Sequence, residues 1–350
     1  MRCEKPQVES LRFKPHHAAS CQRCVNRGGG FYGTKLILTQ SRACQVSACP
    51  LALLVHTLDL QDSALMRIYI SVDMEGISGV TRWEDVVTRG QDYQRARSWM
   101  TADVNAAVEG ARRAGATEFV VEENHGIEML CNLVMDEIDP DVDVVRGSPR
   151  GGATTMAALD GSFDAVFLVG HHGAAGDYPG ICAHTISYGS YRTVRCNGEL
   201  FSEGEIFATV AASHGVPTVL VTGDQVVGAR MERFVPGIEQ AVVKTALSHT
   251  AGVIMPPVRA RRVIADAAER AIASVGKATL PVFPAPYEFE IELRQPLSHE
   301  ALSVYADRFP EFTIVGDRTV TWTVDDMHLC FRRAAITSFL AETPHQIHRY

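Results

Sequence analysis

Residues 67–79 read Arg67-Ile68-Tyr69-Ile70-Ser71-Val72-Asp73-Met74-Glu75-Gly76-Ile77-Ser78-Gly79. Ile68, Tyr69, Ile70 and Val72 are β-branched or aromatic, which predicts a short buried strand. Gly76 and Gly79 then break it into a loop. Residues two apart in an extended chain point to the same side, so Asp73 and Glu75 are aimed together at the carboxyl end of that strand. Open α/β sheets keep their ligands at such ends. Carboxylates so placed repel each other and favour a cation between them. Read alone, the stretch is equally an acidic turn. How the later strands end decides between the two readings.

Downstream, apolar residues at helical spacing predict a helix from Asp92 to Gly115, with Trp99, Val104, Ala107, Val108 and Ala111 on one face. A strand is expected at Glu118 to Val121, then a loop containing Asn124-His125-Gly126. Asp141 to Arg146 reads as a short strand; the loop Gly147 to Gly152 lacks the Gly-Lys-Ser/Thr ending of a phosphate cradle. The apolar run Ala165 to Val169 is another strand, leading into Gly170-His171-His172-Gly173. After a Gly-rich loop come His184 and two expected strands, Thr185 to Tyr188 and Tyr191 to Arg195, with Asn197-Gly198 as a turn. Ser202-Glu203-Gly204-Glu205 has the form of a capping box opening a helix to about His214, and Thr218 to Val221 is a further buried strand. Strand alternating with helix implies an α/β fold, a largely parallel sheet with helices on both faces.

The Pro-rich segment Pro281 to Pro286 looks like a boundary. Beyond it Glu288 to Arg294 alternates charged and apolar residues as a half-exposed strand does, Glu300 to Arg308 suits a helix, and Phe312 to Val315 and Thr319 to Val324 suit strands. Met327 to Leu340 suits a closing helix. The expected organisation is an α/β metal-binding catalytic domain over residues 66–280 and a smaller α+β lobe over 281–350. Residues 1–65 are rich in Arg, Cys, Gln and Ser and show no sustained period, and Met66 stands immediately before the first strand. That segment is expected to be a disordered extension or a mis-assigned start.

Composition excludes several classes. The 350 residues are 46% hydrophobic and 21% charged, as in an ordinary globular protein, and length alone permits two domains. A formal net charge of −8 argues against nucleic acid or an anionic membrane as the main partner. No apolar run approaches a membrane span, and Leu51 to Val55 is too short for a secretory core, so a cytoplasmic location is expected. Of nine cysteines, Cys131, Cys182, Cys196 and Cys330 are scattered singly beyond residue 65 and read as reduced thiols. Cys21-x-x-Cys24 with Cys44 and Cys49 has the wrong second spacing for a zinc knuckle.

Three strand ends carry the chemistry. Asp73 and Glu75 follow the first strand, His125 the second, and His171 and His172 the strand at Ala165 to Val169. In a parallel sheet these ends lie along one edge and can converge, with Glu203 in the first turn of a helix that can abut the same edge. Two imidazoles and three carboxylates from separate loops are the inventory of a hydrolytic zinc site, although so much oxygen ligation also suits manganese. Each member has a plainer explanation. A lone loop His is usually just hydrogen-bonded, Glu203 complements a helix dipole, and adjacent His171 and His172 point opposite ways. The coincidence at three strand ends outweighs them.

Ser71-Val72-Asp73-Met74-Glu75-Gly76-Ile77-Ser78-Gly79 closely resembles the opening motif of the D-aminopeptidase family, peptidase family M55. The resemblance continues in order through Asn124-His125, Gly170-His171-His172, Pro179-Gly180 with His184, and Glu203, from about Met66 to the C-terminus. It implies a di-zinc aminopeptidase, two Zn2+ per chain, assembled as a self-compartmentalising ring, a decamer of identical chains. By the same resemblance the metal ligands fall on Asp73, Glu75, His125, His172 and Glu203. Asp73 would be the bridge, Glu75 and His172 would complete one metal, and His125 and Glu203 the other. The family's catalytic histidine falls on His184. Two departures bear on specificity: the loop from His172 to His184 is one residue longer than usual, and Glu122-Glu123 precede Asn124-His125 where a smaller polar pair is typical. Both are expected to line the substrate entrance.

The function expected is zinc-dependent removal of the N-terminal residue from short peptides, D-amino-acid-containing ones by resemblance, through a metal-activated water. The alternatives are another amidase or an L-aminopeptidase on the same scaffold, or a non-catalytic metal- or peptide-binding protein. The last has no need of an unligated His184 beside a complete ligand set.

Overall fold

A computed structural model of the chain describes residues 65–126, 130–150, 155–296 and 310–347. The extension expected over 1–65, all but its last residue, and the helix expected over Glu300 to Arg308 lie outside the described residues. In chain order the elements are β1 (Arg67–Val72), α1 (Trp83–Val86), α2 (Tyr93–Arg113), β2 (Glu118–Glu123), β3 (Val142–Val145), β4 (Ala165–Val169), β5 (Tyr191–Cys196) and β6 (Glu199–Leu200). They continue with α3 (Glu203–Ser213), β7 (Thr218–Asp224), α4 (Gln225–Phe234), β8 (Glu239–Ser248), β9 (Ala251–Ile254) and α5 (Pro257–Ser274). Then come β10 (Tyr287–Leu293), β11 (Thr313–Val315), β12 (Thr319–Val324) and α6 (Met327–Ile347).

The first sheet runs β3-β2-β1-β4-β7-β8-β9, parallel throughout except for β9 at its edge. Its central strands are buried on both faces, which is why β1 and β4 read as unbroken apolar runs. Ile68, Ile70 and Val72 pack with Phe167, Met100, Val104 and Ile264 against α2 and α5. Tyr69, one residue out of phase, faces the opposite core with Val166, Leu168 and Phe207 of α3. The expected α/β architecture is thus present.

The second sheet, β11-β12-β10-β5-β6, is antiparallel and backs onto that opposite core through Val194, Phe289, Ile291, Val320 and Trp322. β10 pairs with β5 through Phe289 opposite Cys196 and Ile291 opposite Val194. The Pro281 to Pro286 segment therefore does not interrupt the hydrogen bonding of the fold, and the described residues all fall in one compact unit. The strand expected at Thr185 to Tyr188 is instead a loop. Ile186 takes a left-handed φ of 63° and turns its N–H to the Glu203 carboxylate at 2.7 Å, a side-chain partner in place of a neighbouring strand. The stretch from Gln225 to Ser274, left unassigned from sequence, supplies α4, β8, β9 and α5.

Candidate metal centre

The strand order reverses at β1: β2 and β3 are laid down on one side of it, β4 and β7 on the other. Loops leaving β1 and β4 therefore diverge and open a crevice at their carboxyl ends, the usual ligand position in such sheets. Asp73 and Glu75 enter it from β1, and His171 and His172 from β4. Two backbone bonds tie the loops together, Asp73 N–H to Val169 O at 2.9 Å and Gly76 N–H to Gly170 O at 2.7 Å. The approach is so close that a Cβ on Gly76 would overlap the carbonyl oxygen of His171. Gly170, at φ +73°, has the same relation to the carbonyl of Asp73.

Six donor side chains meet there, all buried: Asp73, Glu75, His125, His172, His184 and Glu203. His125 Nδ1 lies 3.0 Å from Glu75 Oε2 and 3.5 Å from Asp73 Oδ1. His172 Nε2 lies 3.1 Å from Asp73 Oδ2 and 3.6 Å from Glu203 Oε1. His184 Nε2 stands 3.9 Å from that same Glu203 oxygen, and its ring stacks on His172. The ligand atoms fall into two overlapping groups that share His172, Asp73–Glu75–His172 and His172–His184–Glu203, each within 4.8 Å. Of the adjacent pair only His172 joins the cluster. His171 turns away to Ser71 Oγ at 3.3 Å and sits edge-on to Phe207.

The far nitrogen of each imidazole settles its tautomer. His125 Nε2 is 2.8 Å from Val86 O, His172 Nδ1 is 2.9 Å from Gly173 O, and His184 Nδ1 is 2.9 Å from Cys182 O. A carbonyl only accepts, so each of these nitrogens carries its proton and donates it. In the neutral rings the near nitrogens are then lone pairs facing carboxylate oxygens; on a doubly protonated ring they are donors to them. Asp73 Oδ2 and His172 Nε2 are buried and neither has a hydrogen-bond partner, despite their 3.1 Å separation. Two acceptors in that relation are stable only with a proton or a metal cation between them. Far-side N–H donation to a carbonyl is also the support that metal-bound histidines ordinarily have.

In the cluster without a metal, a proton takes that place. Burial raises the Asp73 carboxyl, but His125 and His172 outweigh it and hold it well below the usual carboxylate range. Burial lowers His172, yet the facing Asp73 carboxylate pushes it up to about 10. Glu203 is raised to about 7, by burial first, against the pull of His172. Glu75 is raised by burial and by the charge of Asp73. Burial and the neighbouring His172 charge drive His184 well below its ordinary value. So many buried, opposed charges suit oxygen and nitrogen ligation of zinc.

All six residues singled out from sequence are brought together. On this geometry His125 faces Asp73 and Glu75, while Glu203 faces His172 and His184. Glu122 and Glu123, expected at the substrate entrance, are instead fully buried. Glu122 accepts from Tyr69 OH, Arg150 Nη1 and the Met156 and Ala157 N–H groups, and Glu123 accepts from Leu133 N–H at 3.2 Å and from Asn132. They brace loops. Sequence reasoning passed over Lys244 on β8, whose buried Nζ donates to the carbonyls of Glu75, Ile77 (3.1 Å) and Val80 (2.8 Å). It also passed over Arg230 on α4, which forks onto both oxygens of Asp177 at 2.7 Å and reaches Glu205 Oε2 at 3.0 Å. Those contacts pin the loop leading to His184 onto the start of α3.

A sequence model of the D-aminopeptidase family, peptidase M55, matches residues 66–335. A D-aminopeptidase of Bacillus subtilis (strain 168) is 30% identical over 201 residues, 57% of this chain and 72% of the relative. The solved structure of a Zn-dependent D-aminopeptidase, DppA from Bacillus subtilis, described as a self-compartmentalizing protease, matches with a TM-score of 0.72. The identity there is 26%, and the match covers 79% of this chain and 98% of that one.

Proposed function

The chain belongs to the D-aminopeptidase family, peptidase M55, and is a metallo-aminopeptidase, and from that premise we propose that it cleaves the N-terminal residue, of D configuration, from short peptides using two zinc ions per chain. The observation that carries this reading is the facing of the His125 and His172 ring nitrogens and carboxylate oxygens across Asp73, with Asp73 Oδ2 and His172 Nε2 left without a hydrogen-bond partner. Asp73 would be the shared ligand, its two oxygens facing different histidines. By the resemblance Glu75 and His172 would complete one set and His125 and Glu203 the other, whereas the distances here bring His125 to Glu75 and His172 to Glu203. Zinc held there supplies a Lewis acid for the scissile carbonyl and acidifies a water to a nucleophile near neutral pH.

The chain's own residues do the rest. His184, with Nδ1–H committed to Cys182 O, presents Nε2 to the cluster and is the group that takes a proton from the nucleophile and returns it to the leaving nitrogen. Arg230 and Lys244 hold the two loops from which these groups project. Burial of all six donors excludes bulk water and strengthens each charge. A closed ring of ten chains is the assembly expected from the family resemblance, the relative being described as self-compartmentalizing, and light scattering should return a multiple of 38.2 kDa.

The deciding assay is release of free amino acid from D-Ala-D-Ala and from L-Ala-L-Ala, each with and without a chelator. Release from the D peptide, abolished by chelation and restored by zinc, is expected. Equal or faster release from the L peptide would make the protein an L-aminopeptidase. Zinc binding without release from either would make it a binding protein.

A further inference from the structure

Outward from the metal centre, rings follow one another in contact. His172 stacks on His184 at 4.0 Å, and His184 meets Trp83 edge-on at 4.9 Å. Trp83 stacks on Tyr188 at 4.1 Å, with the planes 30° apart. The guanidinium carbon of Arg294 lies 4.8 Å over the Tyr188 ring. The series begins buried and ends in solvent: Trp83 is half-buried, Tyr188 is 42% exposed and Arg294 is exposed.

Three separate stretches contribute Trp83, Tyr188 and Arg294 to this wall: α1, the loop after His184 and the residue that follows β10. Arg294 is fastened to it, since its Nε donates to Tyr188 O at 2.6 Å and its backbone N–H to Ser190 O at 2.8 Å. Its two Nη groups are further donors of the forked kind suited to a carboxylate. The wall has two different ends. Its inner end is the metal centre, where Asp73, Glu75 and Glu203 would be committed to zinc on the reading above, and its outer end is a cation. A short peptide held by its amino end at that centre would carry its carboxylate outward, towards the cation. Successive contacts of 4.9, 4.1 and 4.8 Å together span at most about four residues of a chain that advances roughly 3.3–3.6 Å per extended residue, so the wall has room for only a few residues.

We propose that Trp83, Tyr188 and Arg294 form the subsite for the part of the substrate beyond the scissile bond, selecting short peptides with an apolar residue there and a free terminal carboxylate. The inference rests on the aminopeptidase reading above. Trp83 and Tyr188 receive the apolar side chain along the exposed edges of their stack, since Trp83 and Arg294 already cover the Tyr188 ring. Arg294 receives the carboxylate and so measures the length of the peptide.

Matched tripeptides, one a free acid and one a C-terminal amide, with the same first two residues, test this on the purified, zinc-loaded protein. Wild type should show a KM about fivefold lower for the acid, the scale of a partly exposed ion pair. In R294Q that ratio should collapse towards one, and in R294K a preference for the acid should persist. Tyr188→Ala should raise KM for a peptide with Phe or Leu at the second position more than for one with Gly. Equal KM for acid and amide in wild type, or a ratio that survives R294Q, would overturn the subsite while leaving the aminopeptidase reading intact. No amino acid released from either peptide by wild type would overturn both.

Discussion

The imidazoles of His172 and His184 lie face to face, their ring centroids 4.0 Å apart and their planes 14° from parallel. Each aims Nε2 at the same oxygen of Glu203, at 3.6 and 3.9 Å. One carboxylate oxygen thus serves two rings that cannot both be charged without repelling each other. The difference in their ionisation follows: Asp73 supports a proton on His172, and burial together with that charge denies one to His184.

Asp73→Ala and His184→Ala separate ligand from catalyst. Asp73 faces both His125 and His172, so its loss should strip most of the zinc and all measurable peptide release. His184→Ala should retain about the wild-type zinc content while turnover falls by roughly 10²-fold or more. Metal analysis beside a peptide-release assay reads both. A zinc-free His184→Ala protein would make His184 a ligand.

Lys244→Met tests the clamp beneath the β1 loop. Three buried carbonyls, of Glu75, Ile77 and Val80, would lose their donor together. Charged hydrogen bonds contribute about 1.5–3 kcal/mol each, not additively, so a loss of at least about 3 kcal/mol is expected. Denaturant unfolding gives the shift, and zinc titration should show weaker binding because Glu75 loses its support. An unaltered unfolding midpoint would show that water replaces the ammonium.

Arg230→Gln should be comparably costly. Glu205, buried, and Asp177, half-buried, would be left without their counter-charge, a situation worth about 3–5 kcal/mol for a fully buried pair. Because Asp177 also accepts the Ala174 N–H at 2.8 Å, the loop to His184 should loosen and become a site of proteolysis. Mass mapping of limited tryptic fragments checks where the first cut falls.

Asp103 predicts a pH dependence of stability. Burial raises its carboxyl to about 6, against the Ser78 N–H and hydroxyl that donate to it. The fold therefore keeps this proton above the pH at which the unfolded chain releases it. Its contribution to stability is largest below about pH 4 and declines as pH rises to about 6. Asp103→Asn, which mimics the protonated form, should flatten that segment of the unfolding profile by up to about 3 kcal/mol. A profile indifferent to the substitution would mean Asp103 is ionised throughout.

The strand ends were readable because β1, β2 and β4 signal themselves locally, by apolar runs that stop at Asp73, at Glu122 and at Gly170, although β2 itself runs on to Glu123. A capping box did the same for Glu203, and Ser202 caps α3 as its spacing indicates. What stayed hidden depends on distant partners. Lys244 in a strand reads as a solvent-facing charge, and only the loop packed over it shows otherwise. Glu122-Glu123 read as an acidic rim, yet Arg150 and four other donors bury Glu122 completely. Thr185 and Ile186 have strand propensity, but the need of Glu203 for the Ile186 N–H overrides it.

The pairing of β5 with β10 bears on how the enzyme can be taken apart. β5 lies in the chain between His184 and Glu203, and every one of its partners beyond β6 comes from the last quarter of the sequence. Cutting the chain at Pro281 would strip that strand of a neighbour and leave a row of amide and carbonyl groups bare beside the reaction centre. The metal-binding half is therefore not portable: it cannot be grafted, shuffled or expressed as a minimal catalyst without the strands that close its back.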